Sequence, residues 1–122
     1  MEIQVLDKIY RAIEEDKIYK QVDLNLYEFA KYLQLPQRKV SNLINRHFST
    51  GFPALIQKHR LKEALRRISE NPKELTLEKI ARESGFSSRI TFFKTFKKEM
   101  GISPSEYVQK QKNLTQVKNK NP

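Results

Sequence analysis

Apolar residues recur at intervals of three and four through most of this chain, and no run alternates in twos long enough to read as a strand. The pattern predicts an all-α fold. Ile3, Leu6, Ile9, Tyr10 and Ile13 mark a first amphipathic helix of roughly four turns, ending near Asp16. Lys17 to Asp23 reads as a short polar connector. Leu26, Phe29, Ala30 and Leu33 mark a second, shorter helix, with Asp23 or Asn25 available as its cap. Pro36 falls where a helix can begin, because the first turn does not need its missing N–H. A third helix follows to about His47, with Val40, Leu43 and Ile44 facing inward.

Phe48 to Gly51 interrupts the pattern, and Pro53 suits the first turn of a long fourth helix reaching about Glu70. Its stripe is Leu55, Ile56, Ala64, Leu65 and Ile68, and Asn71-Pro72 stops it. A fifth helix runs from Thr76 to Glu83, with Leu77, Ile80 and Ala81 inward. Thr76 is its candidate cap, although Lys79 stands where a full capping box would place Glu or Gln. Ser84-Gly85-Phe86-Ser87 is a turn, and Ser87 or Ser88 caps a sixth helix carrying Phe92, Phe93 and Phe96 to about Glu99. Gly101 ends that helix, and Ser103-Pro104-Ser105-Glu106 starts a last short one. Residues 112–122 have little to bury and read as a flexible tail.

Two of these segments repeat one another. Leu26–His47 and Leu77–Glu99 each hold a short helix with an inward Ala, a tight turn, and a second helix with a polar, basic outer face. Ala30 and Ala81 suit close helix crossings, and Leu35 and Phe86 plug the turns, both pairs at an offset of 51. Val40 with Phe92 and Ile44 with Phe96 match at 52, which implies one extra residue at the start of the second unit's recognition helix. Such a helix pair is a helix-turn-helix unit. The expected organisation is a seven-helix domain over residues 1–111. It holds units at 24–48 and 76–99, joined by a long linker helix at 53–70, and is followed by the tail.

Charge then suggests a partner. The 122 residues suit one domain or two small helical units, and carry a net charge of +10. Residues 1–35 balance to −2 and residues 36–122 to +12, so the positive charge begins where the first recognition helix is placed. A basic domain points to nucleic acid, with an acidic membrane surface as rival. The chain has no Cys, which rules out disulfides and agrees with a reducing compartment. Met1-Glu2-Ile3-Gln4 does not read as a secretion signal, and no apolar stretch approaches the roughly 18 residues of a membrane span. A cytoplasmic protein is therefore expected.

Enzyme readings fail on inventory. His47 and His59 fall in different helices, and without Cys they make no metal site. Gly occurs only at 51, 85 and 101, so no Gly-rich phosphate loop exists. Most carboxylates have Lys or Arg within helical reach and read as surface pairs. No enzyme, cofactor or metal is expected.

The outer faces of the third and sixth helices are the functional candidates. In the first unit these are Gln37, Arg38, Ser41, Asn42, Asn45 and Arg46; in the second, Ser88, Arg89, Thr91, Lys94, Lys97 and Lys98. Arg, Asn and Gln bond base edges in the major groove, which admits one helix. Lys and Ser more often hold phosphate, as do the free N–H groups of a helix start. Double-stranded DNA is the expected partner. The alternative is a helical protein-interaction domain whose basic face meets an acidic partner or anionic lipid.

The segment Ile80-Ala81-Arg82-Glu83-Ser84-Gly85-Phe86-Ser87-Ser88 leads on to Phe92, Phe96-Lys97-Lys98, Gly101 and Ser103-Pro104-Ser105-Glu106-Tyr107. Together they resemble the C-terminal signature of AraC/XylS-type transcription regulators. The first half agrees more loosely, through Phe29-Ala30, Leu35, Leu43-Ile44, Arg60-Leu61 and Ala64-Leu65, and the likeness covers roughly residues 24–108. The resemblance implies seven helices and a rod-like linker. It also implies sequence-specific DNA binding by two recognition helices in successive major grooves, about 34 Å apart, on DNA that is often bent. Regulation of transcription is the implied role. The implied base readers are Arg38, Ser41 and Asn42 in the first unit and Arg89, Thr91 and Lys94 in the second. Gln37, Asn45, Arg46, Ser88, Lys97 and Lys98 are then placed near the DNA backbone.

Three departures from the family stand out. Ser49 occupies a place where Gly is frequent, with Gly51 two positions later, so a remodelled turn is expected. Ile90 stands at a commonly polar position, either as a thymine-methyl contact or as an ordinary exposed residue. Phe93 also replaces a polar residue and is expected to pack on a neighbouring element. Regulators of this kind usually carry a second region for sensing, dimerisation or phosphorylation. Nothing in this chain reads as one, so a small stand-alone member or an excised C-terminal domain is expected. RNA polymerase or a fused sensor or receiver region is the implied further partner, and no small-molecule site is evident.

Overall fold

The computed structural model describes residues 2–70 and 76–120. Its helices are α1 (Glu2–Glu14), α2 (Leu26–Leu33), α3 (Gln37–Phe48), α4 (Phe52–Glu70), α5 (Leu77–Glu83), α6 (Arg89–Met100) and α7 (Pro104–Lys120). A single 3₁₀ turn, Ile18–Lys20, lies between α1 and α2. Among the described residues there is no strand, and the seven-helix, all-α expectation holds. The chain divides into two units within α4, between Arg60 and Leu61, and each has its own apolar core.

In the N-terminal unit, α1 buries Val5, Ile9, Ala12 and Ile13, α2 buries Phe29, Ala30 and Leu33, and α3 buries Val40, Leu43 and Ile44. The start of α4 closes this core with Phe52, Leu55 and Ile56. The buried stripe of α1 is rotated from the expected one. Ile3 is 81% exposed and Tyr10 48% exposed, because Val5, Ile9 and Ala12 set the inward direction. Ile3 and Tyr10 lie roughly a third of a turn away from it. Tyr10 instead covers the edge of the core, with its ring centroid 5.4 Å from that of Phe48.

The connector after α1 is not the polar loop its composition suggests. Lys17 adopts a left-handed conformation (φ 51), and the chain doubles into the 3₁₀ turn that buries Ile18 and Tyr19. Two apolar residues in so short a segment give no period to detect, yet each joins the core. Arg60, buried on α4, then satisfies the carbonyls this bend leaves over. Its Nε donates to the Tyr19 carbonyl at 2.7 Å and its Nη2 to the Gln21 carbonyl at 2.8 Å. Burial holds the Arg60 guanidinium below the usual arginine pKa.

In the C-terminal unit, Leu61, Ala64 and Ile68 of α4 pack with Ile80 and Ala81 of α5, Phe86, and Phe92 and Phe96 of α6. Tyr107 and Val108 of α7 cover them. Phe92 lies at the centre, its ring 5.1 Å from Phe86, 5.8 Å from Phe93 and 5.7 Å from Phe96. A buried carboxylate, Glu63, is met by Arg66 at 2.8 Å and Arg67 at 2.9 Å. Arg67 also pairs with Glu83, which links α4 to α5 inside this unit. Glu63, then Glu70, raise the pKa of Arg66.

The last helix is longer than the short one expected. It runs to Lys120, so residues 112–120, expected as a flexible tail, are helical. Neither Gly nor Pro interrupts the chain between Pro104 and Pro122, and the Gln109 amide donates to Asn113 Oδ1 at 3.4 Å one turn on. A helix needs a stripe to bury only if it packs along its whole length. The Asn71-Pro72 stop and residues 121 and 122 lie outside the described residues.

Candidate nucleic-acid interface

Both helix-turn-helix units are closed by the same bonds. Asn25 caps α2, its Oδ1 accepting the Glu28 N–H at 2.8 Å, and Thr76 caps α5, its Oγ1 accepting the Lys79 N–H at 3.1 Å. In the turns, the Leu35 N–H donates to the Ala30 carbonyl at 3.0 Å and the Phe86 N–H to the Ala81 carbonyl at 2.9 Å. The left-handed residue of each turn is Gln34 (φ 58) or Gly85 (φ 103). Cap, inward alanine, left-handed residue and apolar plug all correspond at the offset of 51. Beyond the plug, Pro36 precedes α3 and Ser88 caps α6, its Oγ accepting the Thr91 N–H at 3.1 Å. The additional residue is therefore Ser87, in the turn rather than in the helix.

The correspondence continues to the far end of the recognition helices. Gly101 closes α6 in the left-handed region (φ 80), and Ser49, 52 residues earlier, closes α3 in the same region (φ 54). The remodelled turn expected there is absent. Ser49 takes the glycine-like conformation itself, and Gly51 does not stand in for it, since its φ is not positive.

At about 100° per residue, burying Val40, Leu43 and Ile44 turns Arg38, Asn42 and Asn45 to the middle of the outer face of α3. Gln37 and Ser41 lie on one edge and Lys39 and Arg46 on the other. All are exposed except Ser41, which is half-buried. The helix carries no Asp or Glu. Arg46 is paired with Glu2 of α1. A cleft of about 520 Å³ runs from Ser41 and Asn45 to Gly51, Pro53 and Gln57. A second, of about 360 Å³, lies between Arg38, Lys39, Asn42 and Arg46 on α3 and Glu2. Lys39 was missed by sequence reasoning, although its place beside Arg46 on the same edge follows from helical spacing alone.

The sixth helix differs in what it leaves available. The Ser88 hydroxyl is committed to the cap and lies 3.1 Å from the Thr91 hydroxyl. Arg89 is held toward α5, 3.3 Å from Glu78, with its guanidinium carbon 4.8 Å from the centre of the Phe93 ring. The Phe93 ring lies between Phe92 and Arg89 of its own helix and is partly buried against the core of this unit, rather than on one neighbouring element as expected. Lys94, Lys97 and Lys98 are exposed. Ile90 stands with Lys94 and Lys97 at the middle of the outer face and is 68% exposed. Among the described residues no His, Asp or Glu cluster could hold a metal ion, and no helix is long and apolar enough to cross a membrane.

Two helical units, each presenting a polar, basic recognition helix over an alanine-closed turn, define a double helix-turn-helix DNA-binding domain. The family model described as helix-turn-helix domain matches residues 29–110. The chain belongs to this AraC-type family, whose members are DNA-binding transcription regulators and not enzymes. It is similar to the raffinose operon transcriptional regulatory protein RafR of Pediococcus pentosaceus, with 32% identity over 82 residues. That match spans 67% of this chain but 29% of RafR. The C-terminal domain of AraT, a response regulator from Geobacillus stearothermophilus, is similar in structure. Its TM-score is 0.70 at 27% identity, covering 87% of this chain and 84% of that one. The DNA-binding domain of AdpA, solved in complex with a target DNA, has the same fold, with a TM-score of 0.71 at 15% identity over 86% and 89% of the two chains.

Proposed function

We propose that this chain binds a two-part site in double-stranded DNA, with α3 and α6 in successive major grooves, and through it regulates transcription. The outer face of α3 carries the reading. Arg38, Asn42 and Asn45 are exposed together on a helix without a carboxylate, and guanidinium and amide groups are the side chains that pair with base edges. Arg38, Ser41 and Asn42 are the base readers of the first unit, with Gln37, Asn45 and Arg46 on the backbone. Thr91 and Lys94 read in the second, with Ser88, Lys97 and Lys98 on phosphates. Arg89, also a reader by family likeness, must exchange Glu78 for DNA to reach a base. The DNA-binding domain occupies residues 1–111, with units at 24–48 and 76–99 and the linker at 53–70. The names of RafR and AdpA, a transcriptional regulator and a DNA-binding factor, support the assignment. A bacterial cytoplasm is the fitting location, and RNA polymerase or a sensor or receiver region is the further partner.

Selection of duplexes from a random library by the purified chain, at a stated moderate salt, tests this directly. The expected product holds two half-elements about ten base pairs apart. Enrichment of no sequence after repeated rounds refutes it and favours a basic face that meets an acidic partner or anionic lipid. Salt matters, because phosphate contacts alone bind tightly and without preference in dilute buffer.

A further inference from the structure

A large β-branched side chain at the middle of a solvated helix face needs a reason. Ile90 is 68% exposed in the first turn of α6, where a β-branched residue helps the helix less than Ala, Lys or Gln would. The offset of 52 that superposes Val40 on Phe92 and Ile44 on Phe96 sets Ile90 on Arg38, the residue at the centre of the first recognition face. Arg89 falls by the same offset on Gln37, at the edge of that face. Arg89 is also already engaged, by Glu78 at 3.3 Å and by the Phe93 ring at 4.8 Å. The second helix therefore presents a branched hydrocarbon where the first presents a guanidinium.

The major groove offers one apolar surface to such a group, the 5-methyl of thymine; the other base edges present donors and acceptors that Ile would leave unpaired. Residues in the first turn of a recognition helix are the ones that reach base edges. Lys94 and Lys97, exposed beside Ile90, supply the charge that draws this face onto phosphates. We propose that Ile90 packs on the 5-methyl group of a thymine and so specifies a T·A pair in the half-element bound by the second unit. This rests on the DNA-binding reading above.

Deoxyuridine in place of thymine removes the methyl group and leaves the base pair. Each thymine of the selected duplex is replaced in turn, and affinity is measured at one fixed salt for the wild-type chain, Ile90→Ala and Arg89→Ala. Wild type is expected to lose about fourfold at one position of one half-element, the worth of one buried methyl. Ile90→Ala, which exchanges an exposed side chain for a better helix former, should bind the thymine duplex more weakly and show no loss at that position. Arg89→Ala should retain the loss. The proposal is overturned if Ile90→Ala shows the same uridine penalty, if Arg89→Ala abolishes it, or if no thymine matters while the wild type still selects its site. Failure of the wild type to select any duplex instead removes the DNA-binding reading, and this proposal with it.

Discussion

Ser49 and Gly101 close the two recognition helices in the same left-handed region, at φ 54 and φ 80. An L-residue pays roughly 1–2 kcal/mol in that conformation, because its Cβ crowds the following carbonyl. Glycine escapes this, but its more flexible unfolded chain takes back roughly 0.5–1 kcal/mol. Ser49→Gly is therefore expected to stabilise the protein by about 0.5–1 kcal/mol. Gly101→Ala should do the reverse by a similar amount. A Cβ at Gly101 would meet nothing within 4 Å, so no clash adds to that loss. Ser49→Ala keeps the strain and removes only the hydroxyl, and should be nearly silent. Urea unfolding followed by circular dichroism gives the answer. With slopes of about 1–3 kcal/mol per molar, the Ser49→Gly midpoint rises by a few tenths of a molar. A lower midpoint for Ser49→Gly, or a higher one for Gly101→Ala, would refute the structural equivalence of the two helix ends.

Arg60→Ala should cost about 2–4 kcal/mol, because it strands the buried Tyr19 carbonyl and loses a second charge-assisted bond to Gln21. Arg60→Lys should recover only part of that in the same unfolding assay, since an ammonium lacks the fork that reaches both carbonyls. In DNA titrations, Arg38→Ala should relax preference at one base position by about 1–3 kcal/mol. Lys97→Ala should weaken all sequences alike and reduce the salt slope by about one unit. An equal loss on preferred and scrambled duplexes for Arg38→Ala, or a changed base preference for Lys97→Ala, would contradict the assignment. Glu2→Gln frees Arg46 from an exposed ion pair that itself contributes little stability. It should tighten binding in dilute salt with no change in the unfolding midpoint, and weaker binding would show that Glu2 positions Arg46 productively.

How legible each part was depended on how many residues vote for it. Recognition helices carry three or more inward residues at fixed spacing, so Val40, Leu43 and Ile44, or Phe92 and Phe96, locate themselves. The connector after α1 offers only Ile18 and Tyr19, too few to show a period, and both are buried by a left-handed Lys17 that no propensity favours. In α1 the outward Ile3 and Tyr10 fit a helical period with Ile9 and Ile13 that leaves out the inward Val5 and Ala12, so the buried stripe lies a fraction of a turn from the expected one. The candidate site was legible as a list of exposed polar residues but not as a set of commitments. The pairs Arg89 with Glu78 and Arg46 with Glu2 join residues 11 and 44 positions apart. Nothing in the local sequence announces them.

The same repeat that makes the fold readable separates what the two units do. Buried positions keep their character between copies: Ala30 and Ala81, Leu35 and Phe86, Val40 and Phe92, Ile44 and Phe96 are all apolar. Outer positions do not. Arg38 becomes Ile90, Asn42 becomes Lys94 and Asn45 becomes Lys97. Amides and a guanidinium fix hydrogen-bond direction, whereas ammonium groups attract phosphate from any angle. On the DNA-binding reading, the first helix then supplies most of the hydrogen-bonded discrimination. The second presents more ammonium groups, and Ile90 adds an apolar contact to what Thr91 and Lys94 read. Neutralising lysines of α6 should accordingly lower affinity while leaving base preference at the first half-element intact, whereas changes at Arg38 or Asn42 should alter preference with a smaller change in salt dependence.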